Sequence, residues 1–143
     1  GKLMKLLSIL FKIENKLQAK VLGAEESDYT AARKEIEDTI NQNMIVVYTY
    51  GLSPFSTETT AVLDEIGAEY KNVEVGLEWF SLWSVLRAEL LEMTGQSSLP
   101  HVFIDGRHVG GLFTGSFDGK YPGLATLKES GLLRGIVDGG SLE

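Results

Sequence analysis

The segment from residue 44 to residue 75 constrains the fold of this chain more than any other. Residues 44–50 form a β-branched and aromatic run that is apolar nearly throughout, which is typical of a strand covered on both faces. After a break at Gly51-Leu52, apolar positions with helical spacing continue to Gly67, and residues 69–75 alternate as a second strand. Strand, helix and strand within about 30 residues predict a βαβ unit, so the two strands should be parallel.

The second half of the chain predicts a helix, a hairpin and two short helices. Residues 79–94 are rich in leucine, contain two tryptophans and end before a glycine, which predicts one long helix. Two short apolar runs, 101–104 and 107–109, flank Asp105-Gly106, and this arrangement is a strong hairpin signal. Short helices are predicted over 124–130 and 132–137. The chain therefore belongs to the α/β class.

The first 43 residues predict a helical extension. In a helical projection of residues 2–22, five lysines fall within an arc of about 80°, and apolar side chains cover most of the rest. Ile9 strays into the lysine arc and Glu14 into the apolar face. Gly23 is a natural stop, and a second helix should run from Ser27-Asp28 to about residue 43. We predict three parts, with the extension over 1–43, the main domain over 44–137 and a tail over 138–143.

Composition excludes several classes of function. The net charge of −7 argues against nucleic acid as a partner, since phosphate contacts need a basic surface. No apolar run reaches the roughly 18 residues of a membrane span. The chain has no cysteine, so disulfides, thiolate nucleophiles and cysteine-ligated metals are all excluded.

Several motifs occur in an order and spacing that resemble the glutaredoxin family. Ser53-Pro54-Phe55-Ser56 stands where that family carries Cys-Pro-Tyr/Phe-Cys, and Gly95-Gln96 followed by Ser98-Leu99-Pro100 resembles its segment with a cis proline. Gly110-Gly111 matches the glycine pair after the hairpin. The resemblance covers residues 44–137 and implies a thioredoxin-like fold of the glutaredoxin type, with a mixed four-stranded sheet flanked by helices and Pro100 in the cis form.

The two serines in the degenerate motif lack the chemistry that the resemblance implies. A glutaredoxin uses a cysteine whose thiolate is stabilised at a helix N-terminus, and the hydroxyl of Ser53 is no comparable nucleophile. A serine hydrolase needs a positioned general base, but the two histidines, His101 and His108, fall on hairpin strands near the turn. We therefore read Ser53 as an N-cap and Ser56 as a residue of the first helical turn, with no catalytic residue in the chain.

The glutathione site that the resemblance implies is also depleted. Tyr50 occupies the position of the family's lysine, which binds the glycine carboxylate of the tripeptide. Where the family has a Cys/Ser-Asp motif that meets the γ-glutamyl ammonium, this chain reads Leu112-Phe113-Thr114-Gly115. The positions left to line such a site are Tyr50, Gln96, Leu99, Pro100, Gly110 and Gly111. Binding of glutathione should be weak or absent, and no metal, iron–sulfur cluster or other cofactor is expected.

Two interpretations of the serines stay open. A variant made to trap a complex would exchange cysteine for serine and keep the charged anchors. Because both anchors are missing as well, natural loss of the redox site is favoured, and the chain is interpreted as a non-catalytic interaction or scaffold protein. The alternative is a glutathione-dependent thiol–disulfide oxidoreductase in which Ser53 and Ser56 are engineered replacements of cysteine.

The N-terminal helix also has two interpretations. It either packs its apolar face against its own domain, or docks through residues 1–22 on a larger protein complex or a membrane surface. The basic arc and the wide apolar face favour docking, while Glu14 favours a protein over free insertion into lipid. Trp79 and Trp83 are either core or contact surface.

The chain begins at Gly1, and its first methionine is residue 4. This start is compatible with a processed organellar protein, with the remnant of a tag, or with the choice of the fragment. A general resemblance to glutaredoxin-like proteins of algal and plant plastids favours the first, in which a plastid transit peptide would have been removed before Gly1.

Overall fold

The computed structural model describes residues 1–21 and 26–142, and only the backbone of residues 16–21. The predicted helix stop at Gly23 and the side chains of Lys16 and Lys20 therefore lie outside the described residues. The helices are α1 Lys2–Val21, α2 Glu26–Gln42, α3 Pro54–Glu65, α4 Val85–Thr94, α5 Leu124–Glu129 and α6 Leu132–Val137. The strands are β1 Ile45–Thr49, β2 Lys71–Glu74, β3 His101–Ile104 and β4 Arg107–Gly110.

The four strands form one mixed sheet in the order β2-β1-β3-β4. β1 pairs with β2 in parallel, with Val47 opposite Asn72, which confirms the predicted βαβ unit. β3 is antiparallel both to β1 and to β4, and the hairpin turn is at Asp105-Gly106 as predicted. All five residues of β1 are buried, which explains why this central strand is apolar on both faces.

Contacts divide the chain into two compact units. The first comprises Gly1–Ile36 and Gly76–Ser97, and the second comprises Glu37–Val75 and Ser98–Glu143, so α2 runs from the first unit into the second. The predicted domain boundaries at residues 43 and 137 stay a prediction.

The second unit holds the sheet and the main apolar core. One face of β1 and β3, with α3, α5 and α6, encloses the buried side chains Ile45, Val47, Leu63, Val102, Ile104, Val109, Leu112, Leu124, Leu127, Leu133 and Ile136. α3 thereby packs against β1, and this contact positions the N-terminus of α3 at the end of the central strand. The first turn of α3 is where the degenerate motif lies.

The first unit is built on α1, α4 and the first part of α2. Tyr29 of α2 and Ala88 of α4 form a small buried cluster against which Val85 packs. Arg33 of α2 forms a 2.9 Å ion pair with Glu89, whose side chain is almost fully buried. Because a buried carboxylate is costly without a partner, this pair explains how α4 tolerates an acid in its packed face.

The prediction of one helix over residues 79–94 is wrong. The structure has a single turn of 3-10 helix at Leu77–Phe80, an irregular segment, and then α4 from Val85. Ser84 ends the irregular segment as an N-cap, since its Oγ accepts the N–H of Arg87 at 3.2 Å. The guanidinium of Arg87 donates to the carbonyl oxygens of Trp79 and Ser81 at 2.7 and 2.9 Å. These two carbonyl oxygens thus have hydrogen-bond partners although they are not part of a helix. The segment therefore does not need the backbone hydrogen bonds of a continuous helix.

None of the helices in the described part of the chain is long and apolar enough to cross a bilayer.

Candidate functional site

The degenerate motif lies at the N-terminus of α3, immediately after β1. Ser53 has extended backbone angles, φ −86° and ψ 120°, and Pro54 occupies the first turn of the helix. The Ser53 Oγ accepts the N–H of Ser56 at 3.3 Å. Serine followed by proline therefore begins α3 in the way expected of an N-cap, as predicted.

Ser56 is buried and ties the helix to the strand before it. Its Oγ accepts the N–H of Tyr50 at 3.1 Å, and thereby provides a partner for the backbone N–H that directly follows β1. Ser53 Oγ is likewise engaged by a backbone donor. Both hydroxyls that replace the family's thiols thus serve the local backbone, which is a structural role.

The histidines are not placed as a base for either serine. His101 Nδ1 and His108 Nε2 lie 3.0 Å apart, so each ring is the hydrogen-bond partner of the other. His101 is completely buried, and burial lowers its pKa well below the usual value, with a further contribution from His108. Burial also lowers the pKa of His108 to about 4, while Asp118 acts in the opposite direction. A serine-hydrolase arrangement is therefore absent from this pair.

The remaining positions of the predicted glutathione site are distributed over both units. Tyr50, Leu99, Pro100, Gly110 and Gly111 belong to the second unit, whereas Gln96 belongs to the first. The Leu99–Pro100 peptide bond is cis, which confirms that prediction.

The first glycine of the pair is required by the geometry of the loop after β4. Gly110 has φ 110°, and a Cβ at this position would collide with the carbonyl oxygen of Thr114. The N–H of Gly111 donates to that same carbonyl at 2.8 Å. These contacts shape the loop that carries the residues replacing the family's acidic motif.

An aromatic contact involves the segment 112–115, which the resemblance aligns with the family's acidic motif. Leu112 is buried in the core, while Phe113 is 62% exposed and lies edge-to-face with Phe55, the ring centroids being 6.1 Å apart. This contact joins the first turn of α3 to the loop after β4. Neither ring carries a charge for a carboxylate or an ammonium group, so the local surface is apolar.

A second candidate site is the surface of α1. Its contact with α4 is made by polar residues: Ser8 is buried and its Oγ donates to the carbonyl oxygen of Gly95 at 3.1 Å. Two turns further on, the Asn15 Oδ1 accepts from Arg87 at 2.9 Å. The helix thus turns a polar stripe toward its own unit.

The opposite side of α1 is apolar and exposed. We call it the α1 apolar face; its members are Leu3, Met4, Leu6, Leu7, Leu10, Phe11 and Ile13, while the exposed Ile9 lies among the lysines. Leu3 is 67% exposed and Ile13 59%. Large exposed apolar patches are found at sites that bind proteins, membranes or ligands, and on surfaces prone to aggregation. Within the first unit, these apolar side chains of residues 3–13 are thus not covered by the unit's own elements, and docking of the helix on a partner stays a prediction.

The two tryptophans have different environments. Trp79 is only 3% exposed and belongs to the core, whereas Trp83 is 50% exposed. The core interpretation is thus confirmed for Trp79, and a contact role for Trp83 stays a prediction.

Comparison with known proteins gives a consistent result. Residues 45–109 match the family model named Glutaredoxin. The chain is 38% identical over 80 residues to a glutaredoxin of Ricinus communis, which covers 56% of this chain and 76% of the relative. It is 34% identical over 107 residues to Glutaredoxin-C2 of Arabidopsis thaliana, covering 73% and 93% of the two chains. The crystal structure of the buckwheat glutaredoxin–glutathione complex superposes with a TM-score of 0.64 at 26% identity, covering 80% of this chain and 94% of that one.

Proposed function

This chain belongs to the glutaredoxin family, and on that premise we propose that it is a non-catalytic, glutaredoxin-like interaction subunit. α1 docks it on a larger assembly, a protein complex or a membrane face. The exposure of the α1 apolar face carries the docking proposal. The replacement of both thiols by structurally engaged hydroxyls supports the non-catalytic part.

The absence of redox chemistry follows from the roles of the two serines. Thiol–disulfide exchange requires a thiolate, and the whole chain of 143 residues has no cysteine. A serine hydroxyl would need a general base, yet Ser53 accepts a hydrogen bond from Ser56 and the two histidines are bonded to each other. No group at the N-terminus of α3 is therefore activated as a nucleophile.

The loss of glutathione binding follows from charge. A charge-assisted hydrogen bond is worth about 1.5–3 kcal/mol, and two of them are missing. Tyr50 stands at the sequence position of the family's lysine, and residues 112–115, which include the exposed Phe113, stand at the position of its acidic motif. An uncharged, partly aromatic surface does not compensate for either contact, which supports a role without this ligand.

The docking role follows from the orientation of α1. Were the helix an ordinary part of its unit, it would turn its leucines inward. It turns Ser8 and Asn15 inward instead, and leaves eight large apolar side chains exposed. Burial of apolar area gains about 25 cal/mol per Å², so a partner that covers this face is bound favourably.

A double variant tests the docking proposal without removing the helix. Leu6→Gln with Leu10→Gln weakens the α1 apolar face and keeps Ser8 and Asn15, which hold the helix in place. In native extracts we expect the full-length chain to fractionate with a large assembly or with membranes, and the variant as a free monomer. Leu132→Gln, at an exposed leucine of α6, is the matched control. If all three proteins fractionate alike, docking through α1 is wrong.

The plastid location is part of the same proposal, and rests on the resemblance to plastid relatives. Fractionation of isolated plastids tests it, since recovery of the chain only outside them contradicts this location.

A further inference from the structure

The first unit has a second exposed apolar surface besides the α1 apolar face. It lies in the segment before α4, and we call it the 77–83 patch; its members are Leu77, Phe80, Leu82 and Trp83. Trp79, in the same segment, is buried and anchors it. An exposed tryptophan and phenylalanine beside two exposed leucines exceed what a loop needs for its own packing.

Arg87 joins the two surfaces. Its guanidinium donates to the carbonyl oxygens of Trp79 and Ser81 in the segment, and at 2.9 Å to the side chain of Asn15 on α1. One cation thus fixes the 77–83 patch to α1 within the first unit. Because both surfaces belong to elements that Arg87 holds together, we treat them jointly and call them the composite surface.

We propose that this composite surface binds an anionic lipid bilayer at the level of the headgroups. The inference rests on the proposed docking function and names its partner. Residues 1–22 contain five lysines and no arginine. Protein–protein interfaces are depleted in lysine and enriched in arginine, whereas lysine beside an apolar helix face is typical of helices that lie on membranes. The residue types therefore favour a lipid surface over a protein.

The distribution of charge supports an anionic surface. Residues 1–22 carry five lysines against one glutamate, although the whole chain has a net charge of −7. Lys2 and Lys5 are exposed, beside the α1 apolar face. Lysines near a membrane surface are attracted by anionic headgroups, and their long stems let the ammonium reach them while the apolar face is buried.

The composition of the surface supports headgroup depth. A bilayer can cover α1 and the 77–83 patch without matching their outline, whereas a protein partner would need a complementary shape. Tryptophan is enriched at the membrane–water interface, where Trp83 would lie. Glu14 falls within the apolar face and is exposed, so its charge opposes deeper insertion.

Vesicle binding of the full chain tests the inference. The probes are vesicles of phosphatidylcholine alone and of phosphatidylcholine mixed with phosphatidylserine, assayed by co-sedimentation at low and high salt. We expect binding to the mixed vesicles that salt weakens, because screening reduces the attraction of lysines. Binding should shift the tryptophan emission to the blue, and the Trp83→Phe variant, in which only the buried Trp79 emits, should lose the shift.

Three variants separate the contributions of the lysines, of the apolar side chains and of Glu14 to vesicle binding. Lys2→Gln with Lys5→Gln should lower the affinity for mixed vesicles by roughly 30-fold, at about one kcal/mol per lysine. Leu6→Gln with Leu10→Gln should lower it by roughly 100-fold or more. Glu14→Gln should increase it. Leu132→Gln, outside the composite surface, should leave it unchanged.

The possible outcomes distinguish the proposal that the partner is a lipid bilayer from the proposal that α1 docks on any partner. Equal binding to both kinds of vesicle with no effect of salt overturns the lipid proposal, since the lysines would then play no part. If no vesicle is bound but Leu6→Gln with Leu10→Gln releases the chain from its native assembly, the partner is a protein; the lipid proposal falls and docking stands. If vesicles are not bound and fractionation is unchanged, both fall.

Discussion

His101 Nδ1 and His108 Nε2 lie 3.0 Å apart, which makes the two histidines of this chain a hydrogen-bonded pair across the β3–β4 hairpin. Phe103 lies beside both rings, with centroid distances of 6.4 Å to His101 and 5.1 Å to His108. Two neutral imidazoles fit this arrangement, because one of the facing nitrogens donates its proton and the other accepts it. Protonation of the accepting nitrogen would leave two N–H donors facing each other without an acceptor.

Acid should therefore destabilise the fold before most carboxylates titrate. The folded-state pKa of His108, about 4, lies below the unfolded value of about 6.5, so the unfolded state binds more protons in this range. The stabilising contribution is complete above the unfolded pKa and is lost as the pH falls toward 4. Between pH 6.5 and 5 we expect His108 alone to reduce the free energy of unfolding by about 1.5 kcal/mol. Urea denaturation at several pH values measures this.

The control for the acid effect is the His108→Gln variant. It should be less stable at pH 7.5 but should lose less stability between pH 6.5 and 5. If the free energy of unfolding of the variant falls between pH 6.5 and 5 as steeply as that of the natural sequence, other groups cause the acid sensitivity.

Ser53→Ala should reduce the free energy of unfolding by about 1 kcal/mol, because the Ser53 Oγ caps α3 through the N–H of Ser56. Ser53→Asp keeps an acceptor and adds a negative charge at the helix N-terminus, so it should be at least as stable as the natural sequence. Thermal or urea denaturation distinguishes the two. Equal loss in both variants would contradict the capping role.

The purified chain should bind glutathione with a dissociation constant weaker than about 1 mM. The reason is the combined absence of the cation at Tyr50 and of an acid in residues 112–115. Isothermal titration calorimetry provides the measurement, and a micromolar constant would revive a ligand-binding role.

Restoring both thiols should not restore an efficient enzyme. The Ser53→Cys, Ser56→Cys double variant recovers the nucleophile, but the two missing charged contacts should keep its glutathione-dependent turnover at least roughly 100-fold below that of a two-cysteine relative. Adding Tyr50→Lys should increase the turnover. Robust activity of the double variant by itself would instead favour the interpretation that the serines are engineered replacements.

Much of the second unit is predictable from sequence because its signals are local. The buried central strand is apolar on both faces, Ser53-Pro54 combines an N-cap with a favoured first helical residue, and Asp105-Gly106 is a hairpin turn. Each signal acts within a few residues. Their order along the chain is sufficient to predict the mixed sheet and the position of the degenerate motif.

The long helix predicted over residues 79–94 shows where local signals fail. Leucines at helical spacing favour a helix through this segment, but Arg87 binds the carbonyl oxygens of Trp79 and Ser81 with its side chain. A side chain that reaches back six or eight residues leaves no periodic pattern.

By itself, the sequence determined the family-type fold, the loss of both thiols and charged anchors, and the existence of an apolar side on α1. Only the tertiary structure decided which side of α1 faces its own unit, and that His101 and His108 face each other. The physical reason is that periodicity defines the faces of an element and not its neighbours. The inward stripe of α1 is selected by the bond from Ser8 to Gly95, 87 residues away, and by Asn15 with Arg87. The spacing of apolar and polar residues along the sequence does not predict such contacts between distant residues.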